Sequence, residues 1–357
     1  MSLIVLCEAL NVNQGINQTL WKWPPSRTRL LSQGVGSCND ELMSLLALLA
    51  ALAASPEPAT PPAKALAPTE IVAAAPAADW MAIAPSELLV MDLAPDAAPD
   101  AAGRPRRVVI QLLPAPISQG WVGNIRKLAT AHWWDGTSIN RAQDNYVVQW
   151  GDPDGEDKGK AKALPEGLAL VPQTEYTISG DKGLPRFFAP QSRDPYSPLV
   201  GFVGGFPVGM NPPVMHLSGG DWWPVHCYAS VGVGRNEPPD TGTGAELYAV
   251  IGHAPRQLDR NIAVVGRVIE GMEHLSTLPR GTGDLGFYKT VPERTPIRAI
   301  RNGTDVPDLP AFEYLGTESA SFTRYADARA NRRDAFYIQP AGGVDICNVP
   351  VPIRRRK

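Results

Sequence analysis

From Glu87 onward the apolar residues come in short runs, each closed by proline, glycine or aspartate, and this punctuation limits what the chain can fold into. Leu88–Leu93 (LLVMDL), Arg107–Leu112 (RVVIQL), Tyr146–Trp150 (YVVQW), Leu247–Ile251 (LYAVI) and Ile262–Val268 (IAVVGRV) are rich in β-branched or aromatic residues and too short for helices, so each is predicted as a strand. The turn-rich stretch Ala94–Gly103 is expected to join the first two as a hairpin connection. Helical spacing occurs at Trp121, Ile125, Leu128 and Ala129, ending near Trp133-Trp134-Asp135-Gly136, and a second short helix is expected around Gly271–Leu278. Proline and glycine make up about a fifth of the 357 residues, against a usual share near 12%, which argues against a helical bundle or a coiled coil. Many strands with two helices predict a mainly β fold built on a closed or nearly closed barrel. The formal charge of -3 leaves no basic field to condense on phosphate backbones, so nucleic acid is excluded as a partner.

The first third of the chain reads differently. Leu45–Ala54 (LLALLAALAA) is ten apolar residues, about half the ~20 needed to cross a bilayer, so it is not expected to span a membrane. It has the length of a signal-peptide core, with small residues at Leu52-Ala53-Ala54-Ser55 for cleavage, although Asp40 and Glu41 precede it where basic residues belong. Translation from Met43 would remove that conflict, and a short buried helix is the other reading. Residues 1–54 are therefore expected to be a mis-called start, a signal peptide or both, and the destination periplasmic or secreted, or cytoplasmic if the apolar run is not a signal. Residues 55–86, with the Ala/Pro-rich Ser55–Ala78, read as a linker. Removing residues 1–54 leaves Cys227 and Cys347, which an oxidising compartment would let bridge and which read equally well as two buried thiols.

A resemblance appears at Asp135-Gly136-Thr137-Ser138-Ile139-Asn140-Arg141-Ala142-Gln143-Asp144-Asn145-Tyr146-Val147-Val148-Gln149-Trp150-Gly151-Asp152. It resembles the signature of cyclophilin-type peptidyl-prolyl cis-trans isomerases: a DG turn, an aromatic-His-Arg triplet (here Ile139-Asn140-Arg141), an aromatic-aliphatic pair (Tyr146-Val147) and a Gln-Gly-Gly-Asp close (Gln149 to Asp152). Asn124-Ile125-Arg126-Lys127-Leu128 is similar to the first-helix N-F-x-x-L, and Ala245-Glu246-Leu247-Tyr248 to S-Q-F-F. Leu258-Asp259 with Val264-Val265-Gly266-Arg267-Val268 and Gly271-Met272 resembles the last block.

The resemblance implies an eight-stranded antiparallel barrel capped by two helices over residues 87–301, with an insertion at about 153–223 and an extension at 302–357. It implies isomerisation of X-Pro bonds in unfolded or extended polypeptides, accelerating folding, with no cofactor and no metal, by a monomer. Arg141 is the candidate catalytic residue, Gln149 the holder of the substrate backbone, and Tyr146, Val147, Tyr248 and Leu258 the seat of the pyrrolidine ring. Glu246 stands on the groove where the family carries Gln and is expected to disfavour acidic substrates. Further departures fall at Val233 for Asn, Gln257 for an aromatic and Ile262 for His, which leave open a peptide-binding module or chaperone with little isomerase activity. From the residues alone, Arg141 also reads as a surface partner of Asp144 or Asp152.

Other motifs are set aside. Gly281-Thr282-Gly283-Asp284-Leu285-Gly286 matches G-x-G-x-x-G but precedes no helix. Asp152, Asp154 and Asp157 look calcium-like, yet the glycine is misplaced and Ala163 stands where a glutamate is needed. His226 reads as a satisfied core or loop histidine. In the tail, Arg324–Asp334 is predicted as a short charged helix and Asp345–Pro352 as an extended strap, both packing back on the barrel as a solvated surface segment.

Overall fold

The computed structural model describes residues 65–94, 106–180, 194–212 and 220–356. The apolar run at 45–54, the first part of the Ala/Pro-rich segment and most of the connection at 94–103 lie outside the described residues. In chain order the strands are β1 (Trp80–Ile83), β2 (Leu88–Leu93), β3 (Arg107–Leu112), β4 (Ser138–Ala142), β5 (Val147–Gly151), β6 (Leu199–Val203) and β7 (Phe206–Met210). They continue as β8 (Trp222–Pro224), β9 (Ser230–Val233), β10 (Leu247–Val250), β11 (Val264–Glu270), β12 (Thr295–Asn302), β13 (Phe312–Leu315) and β14 (Ile353–Arg355). The α-helices are α1 (Pro68–Ala73), α2 (Gln119–Thr130), α3 (Glu273–Ser276) and α4 (Ala320–Ala330).

Eight strands close into an antiparallel barrel in the order β10-β5-β4-β12-β2-β3-β11-β9. Alternation fixes which side chains go inside: Val148 and Trp150 of β5, Leu247 and Ala249 of β10, and Val231 and Val233 of β9 join one interior core, while their sequence neighbours face outward. Helix α2 closes the barrel by burying Trp121, Val122, Ile125 and Leu128 in that core. Its Asn124 is buried because both ends of the amide are used: Nδ2 donates to the carbonyls of Ala169 and Thr243, and Oδ1 accepts from the Ala169 N–H. The Trp134 indole donates to the Ala245 carbonyl, tying the turn after α2 to the start of β10.

Three strands of the barrel carry no continuous apolar run. β4 is SINRA and β12 is TPIRAIRN, with Ile139, Ile297 and Ile300 facing the core and polar residues between them, and β9 is only four residues long.

The additions to the barrel form structure of their own. The insertion builds a sheet β6-β7-β8, and β1, β13 and β14 form another. The reading of residues 55–86 as a linker is corrected from Pro68 on: α1 begins at a proline, buries Ile71, and packs with α4, and β1 pairs with β13. The solvated tail is corrected too. Helix α4 starts four residues earlier than expected, capped by the Ser319 side chain accepting from the Phe322 N–H. It buries Phe322, Tyr325 and Ala326 in a second core with Trp80, Phe202 and Trp223. The strap at 345–352 begins with a 3₁₀ turn, Ile346–Asn348, where Cys347 forms a disulfide with Cys227 across 120 residues.

Candidate functional site

The outer wall over β4, β5 and β10 collects the residues singled out by sequence. A shift of register in β4 between Ile139 and Arg141 lets Ile139 and Ala142 both face the core while Arg141 points outward. On β5, Val147 and Gln149 lie on the outer face, and on β10 Tyr248 and Val250 do, with Tyr248 opposite Gln149 on one side and Gly232 on the other. Val147, Tyr248 and Val250 form a separate small apolar cluster with Tyr146 and Ile262 packed on it. Val250 and Ile262 therefore stand in one apolar cluster with Tyr146, Val147 and Tyr248, the residues expected from sequence to seat the ring. Leu258 does not: it is half-buried in the 3₁₀ turn Arg256–Leu258 and is not a member of that cluster.

Arg141 is held beside this seat. Its Nε donates to the Leu285 carbonyl at 2.7 Å, Nη1 to the Gln149 side chain at 3.2 Å and Nη2 to the Gln143 side chain. The guanidinium lies over the Tyr146 ring (5.6 Å) and the Phe287 ring (5.2 Å). No carboxylate pairs with it among the described residues, and Asp144 is taken by Arg280 instead. Burial lowers its pKa from the ordinary value, with the Tyr146 hydroxyl opposing, so the group is a cation short of counter-charge. The loop that matched G-x-G-x-x-G supplies the Leu285 carbonyl, presented by a left-handed residue (φ 54°), and Phe287. Its role here is to brace Arg141, which spacing alone did not signal.

Glu246 stands at the other end of the outer wall. Its carboxylate lies against Gly151, where a Cβ would collide with it and where φ of +154° suits glycine. Burial pushes its pKa up to about 7; hydrogen bonds from the Asp152 backbone and the Gln149 side chain pull the other way, and Asp152 and Glu156 add to the rise. Val233, which stands where the family carries asparagine, faces the interior core, and its neighbour Gly232 borders the outer wall. Gly232 leaves room for the Tyr248 ring, which a Cβ there would strike.

Beneath Tyr248 runs a buried chain of polar groups that sequence reasoning missed. His226 is fully buried. Its Nε2 meets the Tyr248 hydroxyl at 2.8 Å and its Nδ1 meets Asp259 Oδ1 at 2.9 Å. Arg256 then bridges Asp259 (2.6 Å) and Asp194 (2.6 Å). His226 is satisfied, as read from sequence, and it holds the phenol of the seat. Its partners lie far apart along the chain, so no local motif marks them.

The turn that leads into β4 is anchored by a two-pronged pair, Arg301 Nη1 and Nη2 to the Asp135 carboxylate, both at 2.7 Å. That pair pulls the Asp135 pKa below its ordinary value. Asp152, set aside as a calcium ligand, spends its carboxylate on the backbone N–H groups of Asp154 and Lys162.

Residues 89–301 match the family described as cyclophilin type peptidyl-prolyl cis-trans isomerase/CLD. Among solved structures, the chain is similar to a cyclophilin, AquaCyp293, from Hirschia baltica, with a TM-score of 0.59 and 19% identity, covering 78% of this chain and 94% of that one. It also aligns, with a TM-score of 0.32 and 12% identity over 55% of this chain and 92% of that one, with a Cryptosporidium parvum cyclophilin type peptidyl-prolyl cis-trans isomerase studied in the presence of the dipeptide ala-pro. No curated protein sequence matches the chain.

Proposed function

This chain belongs to the family of cyclophilin-type peptidyl-prolyl cis-trans isomerases, and from that premise we propose that it turns X-Pro bonds of unfolded or extended polypeptides on the outer wall of β4, β5 and β10, and so accelerates folding. The observation that carries the reading is the position of Arg141, a desolvated cation hydrogen-bonded to Gln149 beside the Tyr146, Val147 and Tyr248 cluster. Rotation about an X-Pro amide breaks the resonance of its C–N bond, a barrier of roughly 18–20 kcal/mol. No nucleophile is needed. A donor aimed at the prolyl nitrogen stabilises the pyramidal form that exists only when the amide is twisted, so its binding energy lowers the barrier and not just KM. Arg141 supplies that donor, Gln149 holds the substrate backbone, and the apolar cluster pins the pyrrolidine ring while the acyl side turns.

A peptide-holding module is the second reading, and one observation favours it: all three Arg141 nitrogens already have protein acceptors. A protease-coupled isomerisation assay on a proline tetrapeptide separates the two. Catalysis predicts a rate well above the uncatalysed one that falls when Arg141 is replaced by alanine; binding without acceleration by the wild-type protein favours the module.

We also propose export to an oxidising compartment. The Cys227–Cys347 disulfide supports it, since such bonds persist outside the reducing cytosol. N-terminal sequencing of the mature protein tests it: a start after residue 54 is expected, and an intact N-terminus with free thiols would sink the idea.

A further inference from the structure

Beside the outer wall of β4, β5 and β10, on the next two strands round the barrel, β9 and β11 face a cleft of about 350 Å³ that the inserted sheet and the C-terminal strap complete. This lies at the small end of the range that takes small ligands, ~300–1,000 Å³. Its apolar wall includes Phe206, Val264 and Val268 on one side and Ile346, Val349 and Val351 on the other. Two arginines, Arg267 and Arg329, line it, and no acidic residue does among the described residues.

Arg267 is the unusual member. Nε and Nη2 donate to the Gln111 side chain at 3.1 and 2.7 Å, and Nη1 donates to the Gly205 carbonyl at 2.7 Å. The guanidinium stacks over Phe206 (4.3 Å) and lies near Tyr314 (5.9 Å). Its neighbours on β14 have carboxylates, Arg354 with Glu313 and Arg355 with Glu270. Arg267 has none among the described residues. Three of its five N–H donors are used, leaving one on each terminal nitrogen. Burial pushes its pKa down to about 9 with Tyr314 opposing, so it is still cationic at neutral pH and short of counter-charge.

An anion with an apolar body answers both features of the cleft. We propose that this cleft binds a small free monocarboxylate with an alkyl or aromatic body, its carboxylate on Arg267 and its body against the strap. A planar guanidinium fork matches a carboxylate, and apolar walls penalise the second charge of a phosphate monoester. Arg329, whose Nε donates to the Asn348 carbonyl, adds positive charge from the other lining wall.

Calorimetric titration of the full chain with sodium decanoate, and separately with 1-decanol, tests the proposal. Saturable one-to-one binding of decanoate is expected, with decanol at least about tenfold weaker, because charged hydrogen bonds are the stronger class. Arg267→Met should bring the two ligands to parity while the isomerase rate stays unchanged. Val351→Trp, which fills the cleft, should abolish binding of both. The proposal is overturned if the wild-type protein does not bind decanoate, or binds decanol equally well, or if Arg267→Met keeps the preference. Should Arg267→Met fail to fold, retention of decanoate binding by folded Val351→Trp overturns it alone.

Discussion

Arg141 and Arg267 sit on different stretches of one barrel wall in nearly the same cradle. Each donates to a glutamine, Gln149 or Gln111, and to one loop carbonyl, Leu285 or Gly205; each lies over two aromatic rings, and neither has a carboxylate among the described residues. What differs is the cover. The wall around Arg141 carries a small apolar seat, whereas the wall around Arg267 is roofed by the inserted sheet and the C-terminal strap. A cation short of counter-charge is costly wherever it is placed. On the first wall the proposed role of that cation is to act on a peptide bond, and on the second the additions convert the same cradle into an enclosed cleft. The two walls should therefore come apart in experiment, one governing catalysis and the other stability.

The largest effect belongs to the covered wall. Replacing Cys227 and Cys347 together by serine opens a closed loop of 120 residues, which should cost about 4–5 kcal/mol of stability in urea unfolding. At a temperature where the variant is still folded, kcat should stay within about twofold of wild type, since Arg141 is braced by Leu285, Gln149 and Gln143 and not by the disulfide. Cys227 adjoins His226 beneath Tyr248, so its loss acts on KM. Loss of kcat in step with stability would join the two walls.

Next comes the open wall. Arg141→Ala should lower kcat/KM by roughly 10²–10³, about 2.7–4 kcal/mol, the cost of removing one preorganised donor to a transition state. Arg141→Lys should recover little, because an ammonium lacks the fork that reaches Gln149, Gln143 and Leu285 at once. The midpoint of thermal unfolding should hardly move for either. An unchanged rate in Arg141→Ala would remove the catalytic assignment and with it the contrast between the two arginines.

Much of the open wall could be read before the fold was known, whereas Arg267 and its cover could not, and the gaps have physical reasons. The strands β2, β3, β5, β10 and β11 were legible because each is dense in β-branched, aliphatic or aromatic residues over a few positions. β4 and β12 were not, since a wall strand with one polar outer face spreads its apolar residues among Ser, Asn and Arg. Arg141, Gln149, Tyr146, Val147, Glu246 and Tyr248 lie on adjoining stretches of one wall, where local spacing is informative. Phe287, Leu285, His226 and Asp259 reach the same wall from loops, and closure of the barrel brings them there. The Ala/Pro-rich segment misled from Pro68 on because proline at a helix start looks like proline in a linker.

Glu246 offers a smaller effect on the open wall, with a definite sign. Its pKa is raised from 4.5 to about 7 in the folded chain. A carboxyl with a raised folded pKa opposes folding when it ionises: stability is full below about pH 4.5, falls as pH rises through 7, and is level above that. The loss above pH 7 is up to about 3 kcal/mol. Glu246→Gln should leave stability at pH 4.5 unchanged and raise it at pH 8, and a difference between the two proteins that does not vary with pH would place the carboxylate in solvent. With the charge gone, acidic residues near the proline should also be better tolerated at pH 8, measured as a rise in relative kcat/KM for acidic over neutral peptides.

The smallest effect tests whether the buried polar chain belongs to the open wall or only to the core. Burial holds the Tyr248 phenol well above its ordinary pKa, so it keeps its proton beside His226 Nε2, while His226 Nδ1 lies against Asp259. Asp259 is in turn fixed by Arg256. Tyr248→Phe keeps the ring over Gly232 and the apolar seat but leaves His226 Nε2 without its partner, a cost of about 1–2 kcal/mol. If the chain serves the wall, KM for the proline peptide should rise while kcat is nearly kept, because a loosened ring weakens binding of substrate and twisted amide alike. Equal KM with lower stability would confine His226, Asp259 and Arg256 to the core. The barrel would then have one wall made for binding by its own strands, and a second that becomes a site through what is packed against it.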